Sequence, residues 1–134
     1  MFLAAIAAVS LLVGAVGIAN TMFMSVMERT RQIGLLKALG ATNNEVMKLF
    51  LMESGLFGVV GGVIGVICGI LISVLVSSIG IQMLGPGGAM KTVVSPQLII
   101  FALVFSTLVG VISGIVPARN AAKMNPVDAL RFEQ

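Results

Sequence analysis

The sequence has no histidine, no tryptophan, no tyrosine and a single cysteine, Cys68. One thiol and no imidazole leave no material for a zinc cluster, a disulfide framework or histidine-based acid–base catalysis. Charge is scarce too: Asp, Glu, Lys and Arg make up 10% of the 134 residues, against about 25% in a soluble domain. There is no G-x-x-x-x-G-K-[ST] loop, so the chain does not itself hold ATP by a P-loop. Glu28, Glu45, Asp128 and Glu133 are not paired acids of a catalytic kind, and no Ser–Lys arrangement stands in for them. A catalytic reading therefore has nothing to rest on. What is present in quantity is apolar: 58% of the residues, with a mean hydropathy of +1.14. That is too little polar surface to clothe a water-soluble globule, and the expected surroundings are lipid.

Three stretches are long enough for a bilayer, which takes about 20 apolar residues. They divide the chain into a span at 1–27, a polar helix and turn at 28–45, a span at 46–81, a loop at 82–96, a span at 97–118 and a tail at 119–134. The first span is too long for a signal-peptide core and lacks a basic flank ahead of it, so it reads as a membrane helix. Arg29, Arg31, Lys37 and Lys48 lie between the first two spans, and Arg119, Lys123 and Arg131 follow the third. Only Lys91 lies in the other loop. Basic residues collect on the cytoplasmic side, which predicts an outside N-terminus and an inside C-terminus. Topology accounts for the net charge of +3 without any nucleic-acid partner.

The connections are well punctuated. Gly40 suits the end of a short helix. Thr42 followed by Glu45 forms a capping box that starts the second span afresh. Gly85-Pro86-Gly87-Gly88 breaks regular structure in the outer loop. Ser95-Pro96 reads as a cap and first-turn proline for the third span, with Pro117 at its exit, and Asn125-Pro126 opens a last short helix.

Within the spans, small residues recur on one face. Ser10, Gly14, Gly17 and Thr21 do so in the first, Gly58, Gly62, Gly65 and Gly69 in the second, and Gly110 and Gly114 in the third. Such stripes allow helices to approach closely in lipid, whether within this chain or against another. Asn20 is expected to hydrogen-bond across helices. Glu53 lies about 7 Å beyond Lys48 along a helix and is expected to pair with a nearby Arg or Lys rather than to serve as a proton site. A small carrier or channel would need more buried ionisable groups than this. The nine methionines read as packing and lipid-facing filler.

The block from Glu28 to Thr42 stands apart as a basic, semi-polar helix between apolar runs. Ile33, Leu36 and Leu39 fall within about 120° of one helical face, with Leu35 beside them. Arg29, Arg31 and Lys37 carry the charge. Spacing alone fits either contact with a soluble partner or anchorage on anionic lipid. The run Glu28-Arg29-Thr30-Arg31-Gln32-Ile33-Gly34 with Lys37-Ala38-Leu39-Gly40-Ala41-Thr42 resembles the coupling-helix region of FtsX/MacB-like ABC transporter permeases. Glu53, the Gly61-Gly62-x-x-Gly65 run, Pro117-Ala118-Arg119-Asn120-Ala121-Ala122 and Asn125-Pro126-Val127-Asp128-Ala129-Leu130-Arg131 resemble the same family in the same order.

The resemblance implies an all-α, multi-pass protein of a prokaryotic plasma membrane. It also implies a cytoplasmic coupling helix between the first two of three spans. This would be the permease subunit of an ABC transporter, with no cofactor of its own and with ATP bound by a separate ATPase subunit. A second permease copy, or other permease helices, completes the expected partners. Arg29, Arg31, Ile33, Leu35, Leu36, Lys37 and Leu39 would meet the ATPase, and the turn at Gly40 to Glu45 would pass its movement to the second span. The work done is export or mechanical action outside the cell. Family members have four spans and an external domain, so the chain is expected to be a fragment, a truncated product or half of a split permease. The alternative function is a non-transporting membrane scaffold or regulatory subunit.

Overall fold

A computed structural model describes residues 1–84 and 95–131. The described residues form five helices and no strand: α1 (Phe2–Glu28), α2 (Thr30–Ala38), α3 (Asn43–Leu84), α4 (Pro96–Lys123) and α5 (Pro126–Arg131). Helices α1, α3 and α4 each contain a window long and apolar enough to cross a membrane. The predicted loop at Gly85-Pro86-Gly87-Gly88, Lys91 and Glu133 lie outside the described residues.

The helices run longer than the apolar stretches that define them. With 42 residues, α3 measures about 63 Å at 1.5 Å per residue, roughly twice the hydrocarbon thickness of a bilayer. It therefore projects past the hydrocarbon on at least one side. The helix that carries the third span runs on past Pro117, the expected point of exit from the membrane. Pro117 sits buried inside α4, and the helix continues to Lys123. Proline removes one N–H from the ladder, and the packing of Ala118, Ala121 and Ala122 into the core holds the following turn in place.

Helix α4 lies between α1 and α3. Its main partner is α3, its second is α1, and α1 scarcely meets α3. The α3–α4 register is antiparallel: Ser54 lies against Gly110 and Gly114, Gly58 against Ser106 and Thr107, and Gly62 against Leu103 and Ser106. At the crossing the backbones touch. A Cβ on Gly110 would lie 2.7 Å from the Ser54 carbonyl oxygen and 2.9 Å from Gly58 Cα.

The core gathers at one end of the molecule. Met22 and Val26 from α1, Ile33 from α2, Val46 and Phe50 from α3, and Ala118, Ala121 and Ala122 from α4 form one buried cluster. Away from it the spans present apolar side chains outward, as at Leu12, Val16, Ile64, Leu71, Leu98 and Ile112. Such a surface suits lipid or further membrane helices.

Candidate functional site

The core end is also where the polar elements assemble. Helices α1 and α2 are separated by one residue, Arg29, whose backbone leaves the helical region (φ −101°, ψ 12°). The Thr30 hydroxyl donates back to the carbonyls of Val26 (3.1 Å) and Met27 (2.8 Å). This side-chain competition for helix carbonyls accompanies the break. Arg29 Nη1 lies 3.5 Å from Glu53 Oε1, with both groups partly exposed. Glu53 thus has the cation partner expected of it, and the pair ties the α1–α2 joint to α3.

The joint between α2 and α3 is fixed twice over. Gly40 has φ +103°, a conformation that residues with a Cβ rarely adopt. The Gly40 N–H donates to Lys37 O and the Ala41 N–H to Leu36 O, each at 3.0 Å. Those two bonds are the Schellman pattern that closes a helix and satisfies its last carbonyls. The capping box follows at once. The Thr42 N–H donates to Glu45 Oε2 at 2.7 Å, and the Glu45 N–H to Thr42 Oγ1 at 3.4 Å. Two helix ends are satisfied within six residues, leaving the turn little freedom.

Helix α2 has two sides of different character. Ile33 and Gly34 are buried, Ile33 in the common core and Gly34 against α5. A Cβ on Gly34 would come within 2.8 Å of Ala129 Cβ and 3.4 Å of the Pro126 carbonyl oxygen. Lys37 Nζ turns inward and donates to Ala122 O (2.7 Å) and Met124 O (2.6 Å). Leu35 and Leu39 point away from the buried side and Leu36 flanks it beside Ile33; they are 56%, 81% and 48% exposed, and Arg31 is exposed with them.

Of the seven residues assigned to partner contact from the sequence, the structure therefore leaves Arg31, Leu35, Leu36 and Leu39 outward. It commits Ile33 to the core, Lys37 to α4 and Arg29 to Glu53. Ile33 and Lys37 thus make contacts within the chain that the assignment did not include. An amphipathic face on a nine-residue helix can meet its own chain as well as a partner, and here it does both.

The small-residue stripes divide in the same way. Gly58, Gly62, Gly110 and Gly114 lie in the α3–α4 contact, whereas Gly14, Gly17, Gly65 and Gly69 have nothing within reach of an added Cβ. Gly14 and Gly17 line a groove of about 610 Å³ between α1 and the α3–α4 pair. Gly65 and Gly69 line another of about 540 Å³ beside Leu98, Ile99 and Ala102. Asn20 is exposed and makes no hydrogen bond to another helix among the described residues. Ser95 takes the N-cap place and Pro96 follows it, but the serine hydroxyl makes no capping bond.

Gly34, Ala129 and Ser54 were not singled out from the sequence, yet each is a contact point. The available signal was Gly34 itself, since a glycine in the middle of a helical pattern often marks a close approach.

The family described as FtsX-like permease C-terminal matches the chain over residues 4–126. An ABC transporter permease of Methanocaldococcus jannaschii is 48% identical over 99% of this chain and 33% of its own length. The ABC transporter permease YknZ of Bacillus subtilis is 41% identical over 96% of this chain and 30% of its own length. The macrolide export ATP-binding/permease protein MacB of a Shewanella species is 41% identical over 99% of this chain and 20% of its own length. The chain thus spans a third or less of the relatives it matches.

Proposed function

The chain belongs to the FtsX-like permease C-terminal family, and from that membership we propose that it is the non-catalytic, membrane-spanning part of an ABC transporter. The ATP-binding subunit docks on the outward side of α2. ATP binds to that partner and not to this chain, and α2 carries the movement of the partner into the spans. The coupled output is export or mechanical work outside the cell. The relatives named as permeases favour a separate ATP-binding chain. The name of the MacB relative joins both activities in one polypeptide, and the docking surface is the same in either arrangement.

One observation carries this reading. Helix α2 is held by its own chain along one side, while Leu35, Leu36 and Leu39 stand exposed. Its overall composition is too polar for it to be a span, yet three leucines on a fixed helix are a ready apolar patch. Arg31 beside them supplies orientation through charge. The clustering of Arg29, Arg31, Lys37, Lys48, Arg119 and Lys123 around this end supports a cytoplasmic placement.

The test is recovery of the ATP-binding partner with the tagged, detergent-extracted protein. Leu36→Asp is expected to lower that recovery at least about tenfold, equivalent to 1.4 kcal/mol, while the variant still inserts in the membrane. Unchanged recovery would assign the leucines to lipid anchorage and overturn the docking assignment.

A further inference from the structure

Lys37 occupies an unusual position for a cation, on the side of α2 that faces the chain itself. Its ammonium group bridges two backbone carbonyls, Ala122 at 2.7 Å and Met124 at 2.6 Å. Ala122 lies in the last turn of α4 and Met124 is its C-cap. The final carbonyls of a helix have no intrahelical N–H to accept from, and they carry the negative end of the helix dipole. Lys37 therefore caps α4 from another element, 85 residues away in sequence.

The contact is reinforced one turn earlier on α2. Gly34 and Lys37 share a side of the helix, three residues apart, and Gly34 admits Ala129 and the Pro126 carbonyl of α5 at close range. Ile33, next to Gly34, enters the core formed with Ala118, Ala121 and Ala122 of α4. An ionic cap, a close-packed glycine and a buried isoleucine thus fasten the same side of α2 to the end of α4 and to α5.

We infer that Lys37 is a positioning residue that fastens α2 to α4, so that a displacement of α2 reaches α4 directly and not only through the Gly40 turn into α3. The inference rests on the docking of an ATP-binding partner on α2. With both joints closed, α2 delivers one displacement to two antiparallel spans. Because α3 and α4 already touch backbone to backbone at Gly58 and Gly110, the pair then moves as a unit. Methionine at position 37 keeps the length of the side chain but donates nothing, which leaves both carbonyls without their cation. Arginine keeps the donors and the charge.

The complete transporter, with its ATP-binding subunit, is placed in lipid nanodiscs. Cys68 is replaced by serine and spin labels are attached at Ala38→Cys and Asn120→Cys, two exposed positions. The distance between the labels is measured without nucleotide and with ATP and vanadate. The expected result is a single distance that nucleotide does not change. Lys37→Met is expected to make it broaden or shift on ATP addition with the ATP-binding subunit still bound, and Lys37→Arg to restore the single distance. A nucleotide-dependent shift with Lys37 intact, or no effect of Lys37→Met, overturns the inference. Loss of the ATP-binding subunit from Lys37→Met also overturns it, by assigning the ammonium group to the partner. If Lys37→Met is not recovered from membranes, the pair measured with Lys37 intact still decides. Failure of the docking reading shows separately, as unchanged partner recovery in Leu36→Asp.

Discussion

A methyl group added at Gly110 meets the backbone of α3, 2.7 Å from the Ser54 oxygen and 2.9 Å from Gly58 Cα. Backbone cannot rotate aside as a side chain can, so the helices must separate. Gly110→Ala is expected to destabilise the chain by about 1–3 kcal/mol, the usual cost of overpacking. Gly65→Ala meets open space and replaces glycine with a better helix former, a change worth up to about 1 kcal/mol in its favour. The midpoints of thermal aggregation of the detergent-extracted variants, followed by size exclusion, should move in opposite directions. Equal loss in both would mean that a further helix covers Gly65 in the assembled protein. The Arg29–Glu53 pair, half in solvent, belongs with exposed ion pairs worth about 0–1 kcal/mol. Its role is orientation of the joint more than stability.

Among the elements, the α2–α3 joint has the strictest geometry. A residue with a Cβ at Gly40, where φ is +103°, costs about 1–2 kcal/mol. Gly40→Ala should therefore leave docking of the partner unchanged while lowering the thermal midpoint and weakening the link between ATP hydrolysis and output. Intact coupling in a variant with a lowered midpoint would show that the turn is structural only. This joint was legible in the sequence because glycine after a short helix, followed by Thr-x-x-Glu, has a local physical meaning that needs no tertiary context. The three spans were legible for the same reason, from length and hydropathy. The inward turn of Ile33 and Lys37 was not. Nine residues of amphipathic pattern define two sides but do not say which one meets the chain itself. Nor did the three- and four-residue spacing of Gly14 and Gly17, and of Gly65 and Gly69, reveal a neighbour, since spacing places residues on one face and packing alone decides what covers it. That α4 continues for six residues past Pro117 was not legible either, because the burial of the alanines that follow overrides the local preference of proline for ending a helix.

For the whole molecule, Arg29, Arg31, Lys37, Lys48, Arg119 and Lys123, α2 and the core share one end, and the proposed topology puts that end in the cytoplasm. A membrane-impermeant maleimide should label Ala38→Cys in inverted vesicles and not in intact cells, with Cys68 replaced so that the probe reports one site. Labelling from outside would invert the orientation and remove the docking proposal with it. The MacB relatives show that the same membrane segment occurs in polypeptides named for both permease and ATP-binding functions. A platform built from α2, α5 and the ends of three spans suits either arrangement, because α2 is fastened to the core and to α5 by contacts within this chain.

The placement of the core also gives the molecule two different kinds of cohesion. At the base, which the proposed topology sets at the cytoplasmic face, Ile33 of α2 packs with Met22, Phe50 and their neighbours, and the hydrophobic effect contributes to holding it there. Along the spans, lipid tails are as apolar as the side chains, and the Gly58–Gly110 crossing depends on van der Waals contact and backbone fit. These respond oppositely to temperature, since hydrophobic cohesion weakens on cooling while close contact does not. Cold should therefore slacken the base, where the proposed partner would dock, before it loosens the Gly58–Gly110 crossing.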